Sequence, residues 1–294
     1  MKKAFTLVEL LVVIGIIAVL AGIMMVSMGG GSEAARAAQC LTNMRGLANA
    51  AVTYAASSSY YPLAGSVTWS KIDESQGIGK GKTVYYEMTG WLSWYSQNQF
   101  PSGSYQAPEY PSAYASGSTV SSAEQQQRDF AISNGTLRAS LAGSRDLLLC
   151  PDHKLQLKAN APFFSYVMNE YFKWNDTGKA RSEQFRGRSA NEKYADRRLL
   201  FAEINWKGYA GEPNLSPGNE GTDQVLQYSK GEYIGFNHKK GKEKVAHVAF
   251  ADGHTEQLLL PKGGMDESAL KELTKLLCEG KDVAFNGSQY EEMK

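Results

Sequence analysis

The side chains of this 294-residue chain with the clearest chemical potential lie near its end, where histidine and aspartate cluster. They are His238, His247, Asp252 and His254. Such side chains bind zinc or transfer protons in catalysis. The sequence has neither an H-E-x-x-H nor a G-x-S-x-G motif, and a turn between two strands explains Asp252-Gly253. We therefore predict no enzyme, no metal site and no cofactor; an anchored enzyme is the rival interpretation, and the spacing leaves open whether a divalent ion binds this stretch.

The chain has three cysteines, Cys40, Cys150 and Cys278. They are too few for a disulfide scaffold, and their separations match no compact metal-ligand spacing. The formal net charge is +1, so the charge balance gives no indication of nucleic-acid binding. Composition therefore disfavours both disulfide-rich domains and nucleic-acid-binding proteins.

The chain begins with a long apolar run from Phe5 to Val26, which contains one ionisable residue, Glu9. A helix of this length measures about 33 Å, enough to cross the hydrocarbon core of a bilayer. The run is too long for the apolar core of a cleaved signal peptide. Because Lys2 and Lys3 precede it, we predict a single membrane helix with a cytoplasmic N-terminus and an exported remainder.

Glu9 is the unusual residue of this run. A carboxylate in a membrane helix costs about 2.5–3.5 kcal/mol, so we expect Glu9 to have a partner or a role. The alternative is that Glu9, near the helix end, reaches the membrane interface and has no function.

The residues from Lys2 to Leu10 resemble the leader and processing site of the type IV pilin and type II secretion pseudopilin superfamily. The resemblance implies that a prepilin peptidase cleaves between Ala4 and Phe5 and methylates the new amine of Phe5. Ala4 stands where this family more commonly has Gly. The resemblance also implies that Glu9, the fifth residue of the mature chain, binds the terminal amine of a neighbouring subunit during assembly.

Further segments are similar to one branch of that superfamily, which carries Cys-x-x-Asn-Leu-Arg, Cys-Pro, Ser-Tyr-x-x-Asn and a terminal His-x(n)-Asp-Gly signature. The matching residues are Cys40, Asn43, Cys150, Pro151, Ser165, Tyr166, Asn169, His238, Asp252 and Gly253. The separation of His238 and Asp252 is longer than in that branch, which predicts a longer turn over 239–244. The exported Cys40 and Cys150 belong to these segments, which leaves two alternatives open: a disulfide between them, or two buried thiols.

The stretch from Ser32 to Ser57 has apolar residues at steps of three and four. This period predicts an amphipathic helix, continuous with the membrane helix, whose apolar face packs on a head domain. Gly29-Gly30-Gly31 lies between the two segments and is a predicted weak point, because each glycine disfavours a helix by about 0.8–1.0 kcal/mol relative to alanine.

The next region, 58–130, is rich in Ser, Tyr, Gly and Trp, and its prolines interrupt any long element. We predict an insertion of loops and short strands. Its aromatic residues permit glycan or surface binding, although packing of the rings onto the head is the simpler interpretation. These residues are Tyr85, Tyr86, Trp91, Trp94, Tyr95, Tyr105, Tyr110 and Tyr114.

The remaining region, 131–294, is predicted to form a β-rich head. Strands are expected over 147–149, 163–174, 198–206, 233–237, 245–251 and 255–260, the last three joined by turns at Gly241 and Asp252-Gly253. Asp266 should cap a helix that Gly280 ends, and a frayed tail should follow Asn286. The predicted fold class is α+β, with a long protruding N-terminal helix packed on an antiparallel sheet and a small C-terminal helix.

These features predict a pilin-like or pseudopilin-like structural subunit of an envelope fibre for secretion, adhesion or motility. The expected domains are a leader (1–4), the N-terminal helix (5–57), the insertion (58–130) and the head (131–294). Expected partners are a prepilin peptidase, copies of the chain or other pilin-like subunits, the inner-membrane assembly machinery and the lipid bilayer. We expect a single-pass inner-membrane protein that becomes a periplasmic or cell-surface fibre. The alternative is a membrane-anchored exoplasmic binding module that does not polymerise.

Overall fold

The structure, a computed structural model, describes the N-terminal helix, a central sheet and a C-terminal helix, but not every residue between them. The described residues are 7–65, 67–73, 82–92, 132–141, 144–156, 164–173, 187–204, 225–230, 232–286 and 289–293. The predicted processing site at Ala4 and Phe5 and most of the predicted aromatic insertion lie outside the described residues.

Helices and short strands follow one another along the chain, which agrees with the predicted α+β class. Within the described residues the helices are α1 (Leu7–Ser58), α2 (Arg138–Leu141), α3 (Pro151–Gln156) and α4 (Glu267–Cys278). The strands are β1 (Val67–Asp73), β2 (Lys82–Met88), β3 (Tyr166–Asn169), β4 (Leu199–Glu203), β5 (Val225–Leu226), β6 (His238–Lys240), β7 (Glu243–Phe250), β8 (Thr255–Leu259), β9 (Val283–Phe285) and β10 (Tyr290–Glu292). Single 3₁₀ turns cover Arg145–Leu148, Glu170–Phe172 and Tyr228–Lys230.

Helix α1 passes through two different environments. Its apolar side chains over 7–20 are exposed, and Leu7 is 80% exposed. From Ala37 onward one face is buried, as the steps of three and four predicted. Ala37, Met44, Ala48 and Ala55 of the predicted stripe are buried, Leu41 and Val52 are half-buried, and Cys40, Leu47 and Ala51 complete the face. The backbone remains helical through Gly29-Gly30-Gly31. Within the described part of the chain, no helix combines the length and hydropathy needed to span a bilayer.

The central sheet has six strands in the order β5-β3-β4-β7-β6, and β8 also pairs with β7. All pairs are antiparallel except β3 with β5. Strands β4 and β6 lie end to end along one edge of β7, with Ala202 beside Val248 and His238 beside Val245. The end of β4 and the start of β6 therefore meet next to His247.

The hydrophobic core fills the space between α1 and the sheet. It includes Met44 and Leu47 of α1, Phe201 of β4 and Trp91, whose ring packs edge-on against Phe201 at 5.1 Å between centroids. Burial of one large apolar side chain stabilises a fold by about 1.5–3 kcal/mol. All residues from Val245 to Phe250 are buried, because β7 is covered on both faces.

The turns at Gly241 and Asp252-Gly253 and the ends of α4 agree with the predictions made from local sequence, but the longer turn expected over 239–244 is wrong, because β6 extends to Lys240 and β7 begins at Glu243. Asp266 Oδ1 accepts a hydrogen bond from Ala269 N at 2.7 Å and so caps α4. Gly280, with φ of +72°, follows the end of α4 in the left-handed region that favours glycine. Gly241 and Gly253 have φ values of +66° and +96° in the turns that flank β7.

One predicted strand is wrong, and its replacement has a clear cause. Arg145–Leu148 forms a 3₁₀ turn where a strand was expected over 147–149. Asn43 of α1 donates from Nδ2 to the carbonyls of Asp146 at 2.9 Å and Leu149 at 3.0 Å. These bonds hold the segment against α1 and use carbonyls that a sheet would have required.

Two further predictions for the head are corrected. The strand expected over 233–237 is reduced to a single bridge between Ile204 and Ile234. The tail that was expected to fray forms the β9–β10 hairpin instead, and Tyr290 Oη donates to the carbonyl of Leu259 at 2.9 Å. This contact anchors the tail to β8, which the polar composition of the tail did not indicate.

Candidate functional site

Five thiol or ionisable side chains meet in the interior between α1 and the sheet. We call them the buried cluster, and none is more than 1% exposed. They are Cys40 of α1, Cys150 directly before α3, Glu203 at the end of β4, His238 at the start of β6 and His247 within β7.

Glu203 is the centre of the buried cluster. Its Oε1 lies 2.9 Å from His238 Nε2 and 3.9 Å from His247 Nδ1, and it accepts a hydrogen bond from Cys40 Sγ. Burial alone would raise the pKa of Glu203, but the hydrogen bond with His238 and the nearby histidine charge hold it below the ordinary value. The interior of the head therefore contains an ionised carboxylate.

His238 is held from both of its ring nitrogens. Nε2 faces Glu203, and Nδ1 lies 3.1 Å from Asp152 Oδ2. Asp152 is in turn bound by Arg36, whose side chain is 31% exposed on α1. Burial opposes the charged ring, but hydrogen bonds with Cys150 and Glu203 raise the pKa of His238 to about 10.

His247 lies parallel to His238, with the ring centroids 4.5 Å apart and an angle of 18° between the planes. Its Nε2 is 3.1 Å from Nε2 of Gln257. Its Nδ1 is buried and has no hydrogen-bond partner among the described residues. Burial lowers the pKa of His247 to about 4, so the ring is neutral.

The two cysteines of the buried cluster are neighbours, as their place in the family-like segments suggested, but they are not joined. Cys40, Cys150 and Cys278 are all free thiols, so of the two alternatives this structure has the buried thiols and not the Cys40–Cys150 disulfide. Cys40 Sγ lies 3.0 Å from Tyr166 Oη, and Cys150 Sγ lies 3.5 Å from His238 Nε2. Burial, reinforced by the hydrogen bond with Cys150, raises the pKa of the Cys40 thiol far above its ordinary value.

Several other residues of the family-like segments lie around the buried cluster and hold neighbouring groups in position. Ser165 Oγ accepts from the Cys150 amide at 2.8 Å and lies 2.9 Å from His153 Nδ1. Burial lowers the pKa of His153 to about 3, so this histidine is neutral. Pro151 begins α3, which carries both Asp152 and His153.

Not every predicted residue belongs to the cluster. Asn169 lies at the end of β3 and binds backbone groups of other elements. Asp252 and Gly253 form the β7–β8 turn, where Asp252 Oδ1 accepts from His254 N at 3.0 Å. His254 is half-buried and contacts Asp252 and Glu256. The four residues of the rival enzyme interpretation therefore separate into a buried histidine pair and an exposed turn.

Four of these residues were not predicted from the sequence: Glu203, Asp152, His153 and Arg36. A signal for Glu203 was present, because it is the one charged residue of the otherwise apolar stretch Leu199–Ile204. An ionisable group that is buried in a strand requires a partner. The same reasoning applies to His247 within Val245–Phe250. Arg36 on α1 and Asp152 on α3 carry no such signal.

The ligand atoms of the buried cluster and their burial determine what the cluster can bind. One sulfur, one carboxylate oxygen and two ring nitrogens lie within 4.8 Å of one another, from Cys40, Glu203, His238 and His247. This is a possible ligand set for a metal ion. A surface cavity of about 400 Å³ lies elsewhere, against Tyr54, Tyr60 and Leu63, and none of its lining residues belongs to the cluster.

Comparison with known proteins gives one match, at the N-terminus. Residues 1–25 match the family described as the prokaryotic N-terminal methylation motif. Searches of the curated proteins and of the solved structures found no match. The match covers the leader and the apolar run and does not reach the buried cluster. The chain thus carries the prokaryotic N-terminal methylation motif over residues 1–25.

Proposed function

We propose that this protein is a pilin-like or pseudopilin-like subunit that is cleaved by a prepilin peptidase and assembles through α1 into an envelope fibre. The observation that carries the proposal is the methylation motif over residues 1–25, which includes the first part of α1. The motif supports processing in general. The fibre and its role in secretion, adhesion or motility are the proposed part.

The exposed half of α1 supports assembly. Eleven of the fourteen residues over 7–20 are large apolar side chains with high exposure, including Leu7 at 80% and Val8 at 69%. A contiguous apolar surface of this kind requires a cover. In our proposal the bilayer covers it before assembly and the α1 helices of neighbouring subunits cover it afterwards. The apolar run from Phe5 to Val26 then anchors the chain in the inner membrane, with the head exported.

Processing is tested by intact mass of the protein extracted from membranes. The mature chain should begin at Phe5 and carry one added methyl group. An Ala4→Leu variant, which removes the small residue before the cleavage position, should retain its leader. A mature terminus near Ser27 or later would instead indicate a signal peptidase and would overturn the proposal.

Assembly is tested at Glu9. Glu9→Gln removes a charge from the apolar run, so insertion should persist or improve, while crosslinking between subunits through 5–26 should be lost. Glu33→Gln is the matched control, because Glu33 lies on the same helix beyond the apolar run, 3.7 Å from Lys239. If Glu9→Gln subunits crosslink as well as Glu33→Gln subunits, Glu9 has no role in assembly. If the unaltered protein remains a monomer in membranes, the non-polymerising binding module replaces the fibre.

A further inference from the structure

We propose that the head contains a buried zinc site, formed by Cys40, Glu203, His238 and His247. This inference does not depend on the proposed function, because it rests on the interior of the head. It also differs from the sequence analysis, which predicted no metal. The ligands come from α1, β4, β6 and β7, so no local spacing could have indicated them.

The donor atoms have the composition and spacing of a tetrahedral site. Zinc binds thiolate, imidazole and carboxylate at about 2.0–2.3 Å, which places neighbouring donors about 3.3–3.8 Å apart. Glu203 Oε1 lies 2.9 Å from His238 Nε2 and 3.9 Å from His247 Nδ1, and these values bracket that separation. All four donors lie within 4.8 Å of one another, so small side-chain rotations complete the site.

Both histidines are oriented as zinc ligands usually are. The Nδ1 of His238 faces Asp152 at 3.1 Å, so an Nδ1 proton bound to the carboxylate leaves Nε2 for the ion. Gln257 Nε2 lies 3.1 Å from His247 Nε2 and in this orientation donates to it, which leaves the ring proton on Nδ1. Zinc binding therefore requires the Gln257 amide to rotate by 180°, so that its oxygen accepts the Nε2 proton and the lone pair of Nδ1 is directed at Glu203 and the cluster. This Nδ1 is the buried atom that has no hydrogen-bond partner among the described residues.

The charges of the proposed site balance. One carboxylate and one thiolate supply two negative charges, and the two neutral imidazoles supply none, which matches a dication. Binding releases two protons into solvent, that of the Cys40 thiol as the Zn–S bond forms and that of His238 Nε2 as the Zn–N bond forms. The ion thereby neutralises the carboxylate of Glu203, which is otherwise a costly group in the protein interior.

A catalytic use of the same residues fits the geometry less well. Cys150, His238 and Asp152 have the order of a thiol, a base and its orienting acid. However, Cys150 and His238 are at most 1% exposed, and the described surface cavity is elsewhere. A substrate needs a cleft, whereas an ion can be enclosed. The proposed ion joins α1 to three strands of the sheet, so its expected effect is to stabilise the packing of α1 on the head.

The test uses the full chain in detergent, stripped with a chelator and titrated with Co²⁺ as a spectroscopic substitute for Zn²⁺. One equivalent should bind and produce a thiolate-to-cobalt charge-transfer band together with the visible bands of tetrahedral cobalt. Zn²⁺ should displace the Co²⁺ and raise the Tm. Thiol counting on unfolded, unreduced and chelated protein should give three thiols.

Two pairs of variants identify the ligands. Cys40→Ser should abolish the charge-transfer band, whereas Cys278→Ser, which removes another buried cysteine, should keep it. His247→Gln should weaken binding more than about 100-fold, and His254→Gln should not change it. Asp152→Asn, which alters the partner of a ligand, should weaken binding by about 10–100-fold.

Three results would overturn the proposal. The first is the absence of a charge-transfer band in the unaltered protein. The second is a count of one thiol, which would indicate a Cys40–Cys150 disulfide in place of the site. The third is binding by His247→Gln equal to that by His254→Gln, a comparison that remains available if Cys40→Ser does not fold.

Discussion

Replacement of Asn169 with alanine should destabilise the head strongly, although Asn169 lies outside the buried cluster. Its side chain is fully buried at the end of β3. Nδ2 donates to the carbonyls of Leu199 at 2.7 Å and Cys278 at 3.0 Å, and Oδ1 accepts from Tyr171 N at 2.9 Å. One side chain thus joins β3, β4 and the end of α4.

The three hydrogen bonds of Asn169 differ in what their loss costs. The Cys278 carbonyl also accepts from Arg198 Nη1 at 3.0 Å and keeps that partner. Tyr171 is half-buried, so its amide can bind water. The Leu199 carbonyl lies in a fully buried strand and loses a donor. At about 0.5–1.5 kcal/mol for each lost bond and 1–3 kcal/mol for a stranded buried group, the free energy of unfolding should fall by about 2–4 kcal/mol.

The assay is thermal unfolding followed by circular dichroism. For a domain of this size the Tm changes by about 2–4 °C per kcal/mol, so Asn169→Ala should lower it by about 4–16 °C. The matched control is Asn191→Ala, at an exposed asparagine, which should change stability by less than about 0.5 kcal/mol. Equal Tm values for the two variants would refute the assignment of Asn169 as the residue that joins these elements.

Two further substitutions test local features. Asn43→Ala should lower the free energy of unfolding by about 1–3 kcal/mol, because it releases the Asp146 and Leu149 carbonyls from α1. The control, Asn49→Ala at an exposed position of the same helix, should be neutral or stabilising. Equal melting curves for the two variants would show that the 3₁₀ turn does not need the Asn43 hydrogen bonds. Gly253→Ala should lower the free energy of unfolding by about 1–2 kcal/mol in a denaturant titration, since the φ of Gly253 is +96°. Gly263→Ala, which has open space around its Cβ position and no positive φ, should leave the free energy unchanged in the same titration. No change for Gly253→Ala would mean that the turn relaxes.

The elements with a local cause could be predicted from the sequence. The apolar steps over 32–57 indicated the packed half of α1, and Asp266 and Gly280 marked the ends of α4. Asp252-Gly253 marked the turn after β7. Each of these signals acts within a few residues, and the tertiary structure does not oppose it.

The elements set by distant contacts could not be predicted in this way. The apolar residues 147–149 suited a strand, but Asn43, more than a hundred positions earlier, holds them in a 3₁₀ turn. The tail after Asn286 has no apolar period, yet Tyr290 fixes it to β8. The residues of the buried cluster lie far apart between Cys40 and His247. Cys40, Cys150 and His238 were recognised singly by resemblance, His247 was noted only for its chemistry, and Glu203 was not predicted, so the cluster was never predicted as one site.

The point at which α1 first becomes buried has a mechanical consequence. Among residues with described side chains, Ala37 is the first buried residue of the helix, so the part from Leu7 to Arg36 acts as a lever about 45 Å long. A tilt of about five degrees at Ala37 moves the far end of such a lever by about 4 Å, roughly three quarters of a helical turn. Cys40 lies within one turn of Ala37. Small adjustments beneath the helix at this point are therefore magnified at its tip, where the proposed contacts with neighbouring subunits lie.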